Sequence, residues 1–192
     1  MESARKQEII AEAAQLFATR GYHATSMRDL AKALALQGGS LYSHIDSKEE
    51  LLWLIVDEAA SQFLAMLHAV TASDTPPEAT LRDAVRGHVG VIANDLAAAT
   101  VYFHEWRFLT EPRRSAFLAR RRDYEARFRQ IVAAAVVDSP AVDPKWATTL
   151  ILSATNWLYQ WYDPAGPLPP DELADRYITM LFHGILMPQP VP

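Results

Sequence analysis

The chain is predicted to be all-α, with about nine helices: a small N-terminal three-helix head and a larger helical body. Three observations carry this. Apolar residues recur at helical spacing through nearly every segment between turn signals. No stretch shows the strict alternation of a half-buried strand. Proline and glycine fall between these segments, as in Gly38-Gly39, Pro76-Pro77 and Pro164–Pro170, where helices are expected to stop.

The elements follow in order. Ser3–Arg20 carries an inner stripe of Ile9, Ala13, Leu16 and Phe17, and Gly21 is a natural stop. Thr25 and Ser26 are N-cap residues, and Asp29 stands three after Ser26 in the first turn of a short helix, Met27–Leu34. Gly38-Gly39-Ser40 breaks the pattern before Leu41 and Ile45 resume it. Ser47, with Glu50 three residues on, forms a capping box for a long helix, Lys48–Thr71. Its inner side is Leu51, Leu52, Ile55, Ala59, Phe63, Met66 and Leu67. A proline-bearing connection leads to Thr80–Asn94, with Leu81, Val85, His88, Val89 and Ile92 on one face. Leu96–Leu109 is the most aromatic part of the chain. Helices over Pro112–Val137, Pro144–Tyr162 and Asp171–Leu186 complete the body.

Composition sets the outer limits. The 192 residues are half hydrophobic, enough for a packed core. There is no cysteine, so disulfides and thiolate metal sites are excluded. The longest apolar runs, Leu51–Val56 and Ile131–Val137, are short of a membrane span, and the N-terminus lacks an apolar leader, so a cytoplasmic location and no membrane partner are expected. The net charge of −5 does not advertise nucleic acid: residues 1–52 hold six basic and seven acidic groups. A few placed cations, hydroxyls and backbone N–H groups suffice for a helix-turn-helix. The acidic remainder would limit nonspecific binding.

The stretch from Thr25 to Leu52 has the layout of a helix-turn-helix reader: a short helix, a tight turn, a second short helix and a newly capped long one. Gln37 and Ser40 near the start of the second short helix suit base edges, and Gly38 and Gly39 permit close backbone approach. Tyr42, His44, Lys48, Thr25 and Ser26 are candidate contacts to the phosphate backbone, and Arg28 a candidate contact to a phosphate or a base. The plainer reading of the same residues is a solvated helix surface.

These residues resemble the DNA-binding signature of the TetR family of transcriptional regulators. The matching positions are Ala31-Lys32, Gly39, Leu41-Tyr42, His44 and Lys48-Glu49-Glu50-Leu51, with Ile9–Thr25 matching the family's first helix and its Gly-Tyr turn. The resemblance implies a DNA-binding domain over residues 1–47 and a ligand-binding and dimerisation domain over 48–192. Two positions depart from the pattern: Ala35 stands where glycine is common, and Gly38 where a polar or basic residue is common. A positive φ at Ala35 would cost about 1 kcal/mol.

Two features of the body bear on a ligand. Between Arg113 and Arg129 seven arginines face only Asp123 and Glu125, with Phe117, Tyr124, Phe128 and Ile131 on the opposing stripe. This is either a solvated basic face or a seat for a phosphate-bearing effector, since guanidinium forks suit phosphate oxygens. The aromatics Tyr102, Phe103, Trp106, Phe108, Trp157, Tyr159, Trp161 and Tyr162 are either core or the lining of an apolar pocket. The segment Asn156–Leu168 resembles the C-terminal region of TetR regulators that answer to acyl-CoA thioesters. That second resemblance, over residues from about 80 to 186, implies effector contacts from Tyr102, Phe103, Trp106, Arg113, Arg120, Tyr124, Arg127, Trp157 and Trp161.

Leu150, Ile151, Ala154, Leu158, Tyr177, Met180 and Leu181 exceed what one chain is expected to bury, and the resemblance places this helix pair in a four-helix bundle with a second copy. Two-fold symmetry would then match a palindromic operator with half-sites about 34–36 Å apart. No catalytic motif appears: His104-Glu105 does not continue as HExxH, the six histidines lack ligand spacing, and no catalytic residue, metal or cofactor is expected. A repressor with an acyl-CoA effector is the leading expectation. A neutral hydrophobic effector and a helical small-molecule binder without operator function are the alternatives.

Overall fold

The helical reading holds along the chain. In the computed structural model, which describes residues 2–36 and 38–184, every regular element among the described residues is helical and none is a strand. The elements are α1 (Glu2–Arg20), α2 (Met27–Ala33), α3 (Gly38–Tyr42), α4 (Lys48–Thr71), α5 (Pro77–Asn94), α6 (Leu96–Thr100), α7 (Arg113–Ala135), α8 (Pro144–Asn156), α9 (Leu158–Trp161) and α10 (Pro170–His183). The aromatic segment Leu96–Leu109 is α6 continued by a π-turn over Val101–Glu105 and a 3-10 turn over Trp106–Phe108. The predicted helix Pro144–Tyr162 divides at Trp157 into α8 and α9.

The helix starts obey local chemistry. The Ser26 hydroxyl accepts the Asp29 N–H at 3.1 Å, and the Asp29 carboxylate accepts the Ser26 N–H at 2.8 Å, a complete capping box. Ser47 accepts the Glu50 N–H at 3.0 Å, but the Glu50 carboxylate reaches one residue further back, to the Asp46 N–H at 2.6 Å.

The end of α2 is a Schellman turn. The Ala35 N–H bonds the Lys32 carbonyl and the Leu36 N–H bonds the Ala31 carbonyl, at 3.2 and 2.8 Å. That geometry requires a left-handed residue, and Ala35 supplies it at φ +52°. The strain anticipated from the sequence is therefore present. Ala35→Gly is expected to stabilise the chain by about 0.5–1 kcal/mol, a Tm gain of roughly 2 °C readable by thermal melting. An unchanged or lower Tm would count against strain at this turn.

The chain divides into two compact units. One holds residues up to Gln62 together with Asp95–Arg122, and the other holds Phe63–Asn94 with the residues from Asp123 onward. In the first, α1 packs on α2 and on α6 with its π-turn, and α2 packs on α3. Its core includes Ile9, Phe17, Leu30, Leu41, Ile45, Leu51, Leu52 and Ile55. In the second, α5 packs against α8, α9 and α10. Phe63, Leu67, Val85, Val89, Phe128, Val132, Leu158 and Ala174 are buried there. By length and hydropathy α4 could cross a membrane; of its apolar residues, Leu51, Leu52, Ile55, Val56, Phe63 and Leu67 are buried in the protein, and Trp53, Leu54, Leu64 and Met66 are half-buried.

Candidate nucleic-acid interface and effector-binding body

The reading surface is built by α2 and α3. Leu30, Ala31, Leu41 and Ile45 face the core and are at most 5% exposed, which turns the polar sides of both helices outward. Arg28 and Lys32, four residues apart on α2, are exposed, as is Ser40 on α3, and Tyr42 is 56% exposed. Arg28, Lys32 and Tyr42 together rim a concavity of about 830 Å³ floored by Ala31 and Leu36. His44 is half-buried just after α3. Gln37 lies outside the described residues; Gly38 and Gly39 open α3.

Three of the assigned phosphate contacts are corrected. Thr25 is fully buried, and its hydroxyl donates to the Gly21 and Leu16 carbonyls at 3.0 and 3.3 Å. Its backbone N–H bonds the Tyr22 carbonyl. Ser26 directs both its hydroxyl and its N–H to Asp29. These hydrogen bonds hold the Asp29 carboxyl below the usual carboxylate range, the Ser26 side chain first and its backbone second. The Lys48 ammonium donates to the Tyr22 and Thr25 carbonyls, each at 2.9 Å, and sits 4.3 Å from the Tyr22 ring centre. Partial burial lowers its pKa. Lys48 thus fastens the turn between α1 and α2. The common reason for these corrections is that groups beside a helix start find partners within the fold, backbone carbonyls for Thr25 and Lys48 and the Asp29 carboxylate for Ser26.

Sequence reasoning missed the acidic groups that hold this unit. Buried Glu105 accepts the Tyr22 N–H at 3.0 Å. Glu49 accepts both the N–H and the hydroxyl of Thr110 at 2.8 Å, which lowers its pKa, and Arg113 lies 3.8 Å from it. No short-range pattern signals pairs this far apart in sequence.

The nine residues expected to line one effector pocket fall in both units. Tyr102, Phe103, Trp106, Arg113 and Arg120 belong to the first, and Tyr124, Arg127, Trp157 and Trp161 to the second. Tyr102 is buried edge-on against Phe103 and Phe117, with centroids 4.9 and 5.2 Å away, and Trp106 lies 5.4 Å from Phe117. Arg120 is bound to Asp57 at 2.8 Å and to the Ser61 hydroxyl at 2.7 Å. Helical periodicity identified the inward faces but not the unit into which each face packs.

The second unit has its own polar centre. His88 is 2% exposed; Nδ1 is 2.7 Å from the Tyr124 hydroxyl and Nε2 is 3.0 Å from Asn156 Oδ1. Phe63 and Phe128 close around it, with centroids 5.1 and 6.2 Å away. Burial pushes the His88 pKa down to about 4, opposed by the Asn156 hydrogen bond. A groove of about 420 Å³ lies in the same unit, lined by Leu67, His68, Thr71, Gln130, Ile131 and the predicted Arg127. Arg127 also grips Asp123 through Nε at 3.0 Å.

Of the residues expected at the dimer surface, some are exposed on the protomer and two are not available to a partner. Leu150 and Met180 are 61% and 46% exposed, joined by Trp146, Trp157 and Trp161. Ala154, Tyr177 and Leu181 are half-buried. Ile151 and Leu158 are 5% and 0% exposed and pack inside their own protomer, on the inward sides of α8 and α9.

Comparison with known proteins bears on both units. Residues 9–53 match the model for bacterial regulatory proteins of the tetR family, and residues 74–185 match that for the tetracyclin repressor-like C-terminal domain. The HTH-type transcriptional repressor KstR2 of Rhodococcus jostii is 29% identical over 195 residues, covering 97% of this chain and 94% of the relative. The solved ketosteroid transcriptional regulator KstR2 of Mycobacterium tuberculosis is 26% identical at a TM-score of 0.89, covering 94% of each chain. AibR, solved in complex with isovaleryl coenzyme A and operator DNA, is 28% identical at a TM-score of 0.80, covering 93% of this chain and 98% of the other. With a matching C-terminal domain over more than half its length and an exposed α2–α3 face, the chain belongs to the TetR family of bacterial regulatory proteins and is a ligand-responsive, DNA-binding regulator.

Proposed function

We propose that this regulator is a homodimeric repressor that holds a palindromic operator and is released by an acyl-CoA thioester. One observation carries the reading: likeness over nearly the whole chain to AibR, a protein solved with both isovaleryl-CoA and operator DNA. The repressor relative KstR2 supports the sign of regulation. In this reading residues 1–47 read DNA and residues 48–192 bind effector and pair the protomers. Gln37 and Ser40 face base edges, Gly38 and Gly39 allow close approach, and Arg28, Tyr42 and His44 hold phosphates. Lys32 joins them, because it stands exposed beside Arg28. The ligand releases DNA only by preferring the state that cannot bind it.

A neutral hydrophobic effector is the second reading. The partnering of Arg120 with Asp57 and of Arg113 with Glu49 favours it, because these guanidiniums already have carboxylates. Gel shifts with the DNA flanking the protein's own gene separate the two. Isovaleryl-CoA, free CoA and a neutral apolar ester are titrated against the preformed complex. Release by the thioester at concentrations at least tenfold below those of free CoA supports the first reading. Release by the neutral ester alone supports the second and overturns the first.

A further inference from the structure

We propose that Glu105 is a positioning residue for DNA reading, fixing the α1–α2 turn, and through it α2 and α3, from a point more than eighty residues downstream. The turn, residues 21–26, is held from two sides. The Glu105 carboxylate takes the Tyr22 N–H at 3.0 Å, and Lys48 takes the carbonyls of Tyr22 and Thr25 at 2.9 Å. Both backbone groups of Tyr22 are therefore gripped by charged side chains of opposite sign. The Tyr22 ring is fixed as well, edge-on to Phe17 and stacked on Phe108, with centroids 5.2 and 5.7 Å away. Phe108 also meets the His23 ring at 4.1 Å.

Glu105 is itself fixed. It is 6% exposed, it closes the π-turn Val101–Glu105, and its second oxygen is 2.8 Å from His104 Nδ1. π-Turns inside helices are frequent at functional positions. The turn leads straight into the reader: Ser26 caps α2, and α2 packs on α3. Hydrogen bonds to base edges lose their geometry within a few tenths of an ångström, whereas attraction to phosphates falls off gradually. Glu105 therefore sets the discrimination between sequences more than the overall attraction to DNA. This inference rests on the DNA-binding reading and specifies how the head is held.

The test compares wild type, E105Q and E105M on a duplex selected by the wild-type protein from a randomised pool, and on an unrelated duplex. The glutamine oxygen still accepts the Tyr22 N–H, so E105Q is expected to bind the selected duplex within about threefold of wild type. E105M removes the acceptor. It is expected to lose at least tenfold on the selected duplex while changing less than about twofold on the unrelated one. A merely structural role would weaken both duplexes together, and an unchanged ratio in E105M overturns the proposal. Should E105M fail to fold, E105D withdraws the carboxylate by one methylene. Its ratio must then fall at least about threefold, and a wild-type ratio overturns the proposal. Failure of the wild type to select any duplex would instead refute the DNA-binding reading itself.

Discussion

Acidification from pH 7 to 4 is expected to remove about 3 kcal/mol of stability through His88 alone. The imidazole is buried among Phe63, Tyr124 and Phe128 with both ring nitrogens engaged, and its pKa falls from 6.5 to about 4. The sign follows from linkage: the unfolded chain takes up the proton first, near 6.5, while the folded chain resists until about 4. The contribution is complete above pH 6.5, declines as the pH falls through that window, and is gone below about 4. Asp29 and Glu49, whose pKa values are lowered, act in the same direction at lower pH. Denaturant unfolding at a series of pH values measures the loss, and NMR titration of the His88 ring assigns it. A His88 resonance titrating near 6.5 in the folded protein would refute this account. Tyr124→Phe leaves the Nδ1 side without its partner and should cost about 1–3 kcal/mol at neutral pH.

Placing an arginine at Leu150 is expected to separate the protomers and to weaken operator binding at least a hundredfold. Leu150 is 61% exposed on the protomer and neighbours the exposed Trp146 on α8. Trp157 at the α8–α9 junction, Trp161 on α9 and Met180 on α10 are also exposed. An unpaired charge buried in such an interface costs several kcal/mol, and an isologous dimer incurs the cost twice. Each 1.4 kcal/mol is a factor of ten in dissociation. Because the wild-type side chain is exposed in the protomer, helix content and protomer folding should survive. Sedimentation equilibrium and a gel shift read the two effects. A variant that remains dimeric with full operator affinity would show that this face is not the interface.

The sequence revealed structure wherever the determining contact is local. The capping box at Ser26 and Asp29, the cap at Ser47, the stop at Gly21 and the strained turn at Ala35 all depend on residues within six of one another. The apolar stripes of α1 and α4 were legible for the same reason, and His88 could be placed on the inward face of α5. Contacts across long separations were not legible. Lys48 bonds Tyr22 at a separation of 26, Arg120 meets Asp57 at a separation of 63, and Glu105 reaches back 83 residues to Tyr22. Spacing showed that the arginines share faces of α7, but not that carboxylates from α4 partner Arg113 and Arg120. Ile151 and Leu158 looked like interface because helical periodicity marks apolar faces without distinguishing a partner's core from the chain's own.

The most direct test of DNA reading by the α2–α3 face is the salt dependence of binding to the DNA flanking the protein's own gene. Wild type is compared with an Arg28→Ala, Lys32→Ala double variant. The logarithm of the binding constant should fall linearly with the logarithm of salt concentration, and the slope should shrink in the variant by about 0.9 for each phosphate contact removed. No retardation by the wild type at low salt, or identical slopes for the two proteins, would contradict it.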